Sequence, residues 1–176
     1  MIKSFWGKKP NRGKTPNNKK NIEEFGPGKG DIIICTKCNA SYYYKSWHHK
    51  LEDYKELKPS KNVSFELCPA CEMEKRGQFE GEVVIENFPP HIREEIVSQL
   101  EHVADKAYNR DPMDRILNMH IAEHRIEVRT SENQLAINLG RQIQKAHKNS
   151  KLENKFSKEE DVARVRVFWP KENSGE

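Results

Sequence analysis

The chain has 176 residues, of which 35% are hydrophobic and 33% charged, with a formal net charge of +4 at pH 7 and a mean hydropathy of −0.96. So thin an apolar supply excludes one large core and points to one or two small modules, at least one of them stapled by a metal. No apolar run approaches the roughly 20 residues of a membrane span, and Met1 is followed by no apolar export segment, so a cytoplasmic protein with no membrane partner is expected.

The charge is uneven. Residues 1–30 hold eight Lys/Arg against two Glu, a net of +6, which leaves −2 for the rest of a chain whose total is +4. This first stretch is rich in Lys, Asn, Gly and Pro, has no helical or strand period, and reads as a disordered basic tail. Lys8, Lys9, Arg12, Lys14, Lys19 and Lys20 are candidate phosphate contacts of a nucleic-acid arm, since each cation near a phosphate releases counterions. Phe5 and Trp6 can stack on bases. A solubilising tail is the competing reading.

The strongest signal is four cysteines, arranged as Cys35-Thr-Lys-Cys38 and Cys68-Pro-Ala-Cys71 with 29 residues between the pairs and no others in the chain. Two CxxC knuckles at this spacing can supply four thiolates to one structural Zn²⁺, which leaves no open position for catalysis. Asp31–Ile34 and Ser41–Tyr44 flank the first knuckle and Phe65–Leu67 precedes the second. Each knuckle is therefore expected at the turn of a β-hairpin, as in a zinc ribbon. A disulfide framework does not suit a reducing compartment, and a redox CxxC needs no second pair. Iron is the rival ion: Cys68-Pro-Ala-Cys71 resembles the second knuckle of rubredoxins, although those continue with Gly where Asn39 and Glu72 stand here. Asn takes the left-handed conformation more readily than Glu.

Between the knuckles, Tyr42, Tyr43, Tyr44, Trp47, Tyr54 and Phe65 are expected to cover the metal site, with an exposed subset free to stack on RNA bases. Lys45, Lys50, Lys55, Lys58 and Lys61 make this insert the basic part of the folded body, with Lys45 and Lys50 as candidate RNA contacts. Glu72–Gly77 reads as a turn and Gln78–Glu86 as a strand leaving the ribbon. Phe88-Pro89-Pro90 marks the domain boundary. The expected division is a tail at 1–30, a zinc-ribbon domain at 31–88, an α+β domain at 89–170 and a disordered end at 171–176.

The second domain reads helix–hairpin–helix–hairpin. Ile92, Ile96, Val97, Leu100, Val103, Ala104 and Ala107 form the stripe of a helix from about Pro90 to Tyr108. Asp111 caps a short turn begun by Pro112. Ile116–Ile121 and Arg125–Thr130 form a hairpin, with Leu117, Met119 and Ile121 on one face. Ser131-Glu-Asn-Gln134 reads as a capping box that opens a helix to about Lys148, buried along Leu135, Leu139, Ile143 and Ala146. Lys151–Phe156 and Val162–Trp169 form the second hairpin. The result is a small α+β sandwich with two helices on one face of an antiparallel sheet. The open face carries Arg125, Arg129, Arg164 and Arg166. Arg164 and Arg166 are candidate RNA contacts, or the arginines pair with Glu123, Glu127 and Glu153 as a solvated face.

The arrangement resembles the short bacterial relatives of the export adaptor of the large ribosomal subunit, the nonsense-mediated-decay-three-like proteins. The likeness is carried by CTKCNASYYYKSW, by LCPACEMEKRGQFEGEV ahead of a Pro-marked helix, and by IEVRTSENQLAINLGRQIQKAHK followed by VRVFW. It spans roughly residues 31–169. It implies a zinc ribbon and an α+β domain that bind ribosomal RNA or the large ribosomal subunit, with Cys35, Cys38, Cys68 and Cys71 as the metal ligands. The second metal site and further domains of the eukaryotic members have no counterpart here, and the basic tail is not part of the likeness.

No Gly-rich phosphate loop, GxSxG, HExxH or kinase-like set occurs. The sequence therefore points away from an enzyme with a small-molecule substrate. It points to a cytoplasmic adaptor organised by one structural Zn²⁺ that binds RNA. The alternatives are a zinc-dependent protein–protein module and a rubredoxin-like iron electron carrier.

Overall fold

The computed structural model describes residues 32–43, 45–49, 63–157 and 161–170. The basic stretch at 1–30, much of the aromatic insert and residues 171–176 lie outside them. Among the described residues the chain forms two β-sheets and three α-helices, a mixed α+β architecture. No helix among them is long and apolar enough to cross a membrane.

The first sheet holds β1 (Ile32–Cys35), β2 (Ser41–Tyr43), β3 (Ser46–His48) and β4 (Val63–Glu66), in the order β3-β2-β1-β4. β1 and β2 form the expected hairpin, with Ile33 opposite Tyr42 and Ile34 opposite Ser41. Its turn is the first knuckle, and Asn39 closes it at φ 61, the left-handed conformation that Asn tolerates. β4 runs parallel to β1, with Ile34 opposite Phe65.

The second knuckle is not a hairpin turn. It opens α1 (Pro69–Arg76), where a turn had been expected at Glu72–Gly77. The start and stop signals are all present: Cys68 as N-cap, Pro69 at the first position, Glu72 in the first turn, and Lys75 and Arg76 in the last. Gly77 ends the helix at φ 67, and Gln78 N–H bonds back to the Met73 carbonyl.

The second sheet has five strands in the order β6-β7-β5-β9-β8. They are β5 (Gly81–Glu86), β6 (Ile116–Ile121), β7 (Arg125–Thr130), β8 (Lys151–Ser157) and β9 (Val162–Phe168). Both expected hairpins form, β6 with β7 and β8 with β9. The expectation of an antiparallel sheet beginning after Pro90 is corrected. The strand assigned to the ribbon is the centre of this sheet, antiparallel to β7 and parallel to β9. Two hairpins alone leave a gap between β7 and β9. β5 fills it because Gly81, Val83 and Ile85 turn one face to the core while Glu82, Val84 and Glu86 stay partly exposed on the other.

A 3₁₀ turn (Pro90–Ile92) leads into α2 (Arg93–Arg110), and α3 (Asn133–Ala146) follows β7. The core lies between α3 and the sheet and is completed by α2. Val83, Ile85, Ile126, Val128, Val165 and Val167 meet Ile96, Leu100, Leu135, Leu139 and Ile143 there. Each such side chain contributes about 1.5–3 kcal/mol by leaving water. Ala146 is exposed, and Ala136 and Gly140 take the buried positions instead. The capping box is absent: Glu132 is the N-cap and makes no side-chain cap bond. Ser131 is turned toward the loop before β6, where its hydroxyl donates to the Met113 and Arg115 carbonyls and accepts from Arg115 N–H. A register shift between Ile116 and Asn118 breaks the alternation of β6. Met119 and Ile116 face the main core, and Leu117 packs on the cysteines.

Gly81 and Gly140 set how closely α3 approaches the sheet. A Cβ on Gly140 would lie 2.3 Å from Val165 Cγ1, and one on Gly81 would lie 2.5 Å from Ala136 Cβ. Helix propensity alone favours Gly140→Ala by about 1 kcal/mol. Overpacking reverses the sign, so the variant is expected to lose about 1–3 kcal/mol of stability. Denaturant midpoints against Asn138→Ala, at an exposed position of the same helix, check this.

Candidate metal centre

Two local structures bring the cysteines together. The β1–β2 turn holds Cys35 and Cys38, with Cys35 N–H bonded to the Ala40 carbonyl at 2.8 Å. The N-terminus of α1 holds Cys68 and Cys71. Cys68 stands where Ser or Asp usually caps, and its sulfur accepts from Cys71 N–H at 3.4 Å. The parallel pairing of β1 with β4 sets the two knuckles side by side, with Cys35 opposite Glu66. Lys37 of the first knuckle reaches Glu74 of α1 at 2.7 Å.

All four sulfurs lie within 4.8 Å of one another. Cys35, Cys68 and Cys71 are buried and Cys38 is partly buried. An ion holding four thiolates at ~2.3 Å in a tetrahedron sets neighbouring sulfurs roughly 3.8 Å apart. Cys38 and Cys68 stand at 3.7 Å, far beyond disulfide length. The four cysteines thus fit a metal site, as the spacing indicated. Neither neighbouring histidine joins it. His48 Nε2 lies 2.9 Å from Ser46 Oγ and 3.1 Å from the Tyr43 carbonyl. His49 packs edge-on to Tyr108. Trp47 covers the cluster as expected, beside Tyr42, with Leu67, Met113 and Leu117 completing the apolar wall.

The electrostatics of the thiols are divided. Burial raises Cys35, but backbone N–H groups of Cys38, Cys68 and Lys37 outweigh it and bring the thiol down to about 6. Burial pushes Cys68 upward, and Cys71 is held well above the ordinary thiol range by burial and by the neighbouring sulfurs.

One residue of this centre escaped the sequence analysis. Arg115, half-buried in the loop before β6, reaches Cys71 Sγ at 3.5 Å, Cys38 Sγ at 3.6 Å and Cys68 Sγ at 3.7 Å. It is 44 residues from the nearest cysteine in sequence, and it follows an ordinary Asp-Pro turn. No local pattern marks it.

The candidate RNA contacts do not form one surface among the described residues. Lys8, Lys9, Arg12, Lys14, Lys19, Lys20 and Lys50 lie outside them. Lys45 is exposed at the β2–β3 turn with φ 65. Arg164 and Arg166 stand on the open face of the second sheet, in register with Glu82 and Val84. Arg166 pairs with Glu86 and Glu153, and Arg164 lies 3.6 Å from Glu82. Arg125 meets Glu86 and Glu127, and Arg129 lies 3.9 Å from Glu82. The carboxylates of the central strand do much of this pairing, a role hidden while that strand was assigned to the ribbon. No family model, curated protein or solved structure matches the chain.

Metal ligation requires thiolates. At pH 7 the lowered Cys35 is already ionised, whereas Cys68 and Cys71 must lose protons to bind. Titrating an ion into the metal-free protein at pH 7 is expected to release about two or more protons per ion, and apparent affinity should climb as pH rises. Calorimetry in buffers of different ionisation enthalpy reads this. Cys68→Ser is expected to abolish tight binding and unfold the ribbon while α2 and α3 keep their helical signal.

Proposed function

We propose that the protein is a non-catalytic zinc-ribbon adaptor that binds RNA, with ribosomal RNA of the large subunit as the partner. The buried four-cysteine cluster carries this reading. Four thiolate ligands complete a tetrahedral shell, so an ion there shapes the fold and has no position left for substrate. Zn²⁺ is favoured over iron by Arg115 and by the second knuckle. The cation offsets the net −2 of four thiolates around a divalent ion, a charge that stays fixed in a centre without redox chemistry. The second knuckle opens a helix, unlike the Gly-continued knuckles of rubredoxins.

The RNA reading is supported by the +6 excess in residues 1–30, by Lys45 on the ribbon, and by the resemblance of the motifs quoted above to the nonsense-mediated-decay-three-like proteins. A groove of about 510 Å³ between α2 and α3 adds to it. His102, Lys106 and Arg110 line one wall, and Gln134, Asn138 and Gln142 the other. Cations and amides suit phosphates and base edges. The arginines of the open sheet face are matched by glutamates, so phosphate neutralisation rests on the first stretch, the ribbon and this groove.

A protein partner is the second reading, and one observation favours it. Phe65 is 66% exposed and Val63 47% exposed on the edge strand β4, an arrangement that suits docking of another chain.

A lysate gradient at low and high salt, with metal content measured on the purified protein, tests the proposal. Migration with the large subunit at low salt, release at high salt and one zinc per chain are expected. Deleting residues 1–30 should flatten the salt dependence, at about 0.7–0.9 in log–log slope for each phosphate no longer neutralised. Lys106→Glu should weaken binding across RNA sequences alike. Retention at the top of the gradient under both conditions favours the protein partner, and a visible thiolate-to-iron band replaces zinc by iron.

A further inference from the structure

Arg115 presents a charge problem that the rest of the fold does not solve. The guanidinium is always protonated, it is half-buried, and among the described residues no carboxylate lies within ion-pair distance of it. Asp114, its neighbour, pairs with Arg110 at 2.6 Å. Glu101 and Asp105 only line a cavity beside it. A cation withdrawn from water without a counter-charge is costly. The anions available to it are the sulfurs of Cys38, Cys68 and Cys71.

The side chain is anchored on one side of a boundary and reaches across it. Its backbone N–H donates to Ser131 Oγ at 2.9 Å, and its Nε and Nη2 donate to the Pro112 carbonyl at 3.1 and 2.6 Å. Its guanidinium carbon stands 5.6 Å from the centre of the Tyr108 ring, a cation–π distance. All these anchors belong to α2, the loop before β6, or the start of α3. The sulfurs belong to the ribbon. Cys68 N–H serves Cys35 Sγ at 3.3 Å and Cys71 N–H serves Cys68. With Arg115, every sulfur of the cluster is reached by an N–H donor.

We infer that Arg115 is the outer cation of the four-sulfur centre and that it couples metal loading to docking of the ribbon on the second sheet. The inference rests on the metal reading given above. With an ion bound, four thiolates and a divalent cation leave a net −2 that faces the guanidinium, and the ribbon is held down through Cys38, Cys68 and Cys71. With the ion removed, the sulfurs keep only their N–H donors and lose the shared charge, and Arg115 is left as a half-buried cation without an equal partner. The contacts that remain are Leu117 and Met113 against the cysteine cluster and the edge-on packing of His49 on Tyr108. Docking then weakens while α2 and α3, packed on their own sheet, persist. Arg115 is a positioning residue in this scheme and not a ligand, since nothing in it bonds to the ion.

The experiment uses the full chain as wild type, Arg115→Gln and Arg115→Lys. Zinc affinity is measured by competition with a chromogenic chelator. Backbone hydrogen exchange is followed by mass spectrometry with zinc and after chelation. For wild type, chelation is expected to raise exchange across residues 111–121 while residues 93–110 and 133–146 stay protected. Arg115→Gln should bind zinc about 10–100-fold more weakly, the usual loss for a group that orients metal ligands. Even when zinc-saturated it should exchange at 111–121 as chelated wild type does. Arg115→Lys restores the charge without the planar fork and should fall between the two.

A zinc-saturated Arg115→Gln with wild-type protection, or with wild-type affinity, overturns the inference and leaves the metal reading standing. Loss of protection at 93–110 and 133–146 in both variants would make Arg115 a general stability residue and overturn the coupling. Wild-type protein that takes up no zinc overturns the metal reading itself.

Discussion

Four sulfurs gathered within 4.8 Å, most of them out of water, form an arrangement that electrostatics opposes in two ways. Burial disfavours each thiolate, and every thiolate repels its neighbours. The fold answers with hydrogen-bond donors drawn from three places: the β1–β2 turn, the start of α1, and Arg115. The first two lie within the ribbon, although Cys68 N–H reaches Cys35 Sγ across 33 residues. The third is supplied by a different sheet, so the ribbon's charge is balanced by a group that the ribbon does not contain. The parallel pairing of β1 with β4, the helix that begins at Cys68 and the kink in β6 that aims Leu117 at the cluster all serve the same placement.

The second sheet is held by a different principle. Its buried face is built from Val and Ile at alternate positions of β5, β7 and β9, and α3 lies close on it because Gly81 and Gly140 present no Cβ at the contact. Its outer face is a lattice of opposite charges in which Glu82 and Glu86 sit between arginines of β7 and β9. Such exposed pairs contribute little each, roughly 0–1 kcal/mol. Their consequence is specificity. A slip of β5 by one residue would turn Glu82 and Glu86 into the core and away from these arginines, and Val83 and Ile85 would leave it.

The local elements were legible in the sequence. The turn at Asn39, the hairpins at 116–130 and 151–168, the α2 stripe and the clustering of the four sulfurs follow from periodicity, turn chemistry and spacing. What was not legible was pairing. β5 has the composition of a strand, but nothing in Gly81–Glu86 announces two neighbours from the far end of the chain. The same gap hid Arg115, whose role depends on a contact across 77 residues with Cys38. The second knuckle failed for a different reason. Pro69, Glu72 and Gly77 are ordinary helix signals that were subordinated to the hairpin geometry of ribbons. Ser131 has the right neighbours for a capping box, but two partly buried carbonyls of the loop before β6 compete for its hydroxyl and win.

The central position of β5 also orders events in time. Its antiparallel neighbour ends at Thr130, and its parallel neighbour runs from Val162 to Phe168, more than 70 residues downstream of Glu86. At a synthesis rate of about 5–20 residues per second, the strand emerges on the order of ten seconds before its sheet can close around it. Throughout that interval Val83, Val84 and Ile85 are an open edge able to pair with other chains. Glu82 and Glu86 bracket them with negative charge. The ribbon just upstream has all its cysteines by Cys71, but Arg115, which reaches three of their sulfurs, emerges only later. A nascent chain therefore carries the four-cysteine ribbon tethered by the few residues from Gly77 to Glu80 to a strand still waiting for its partners.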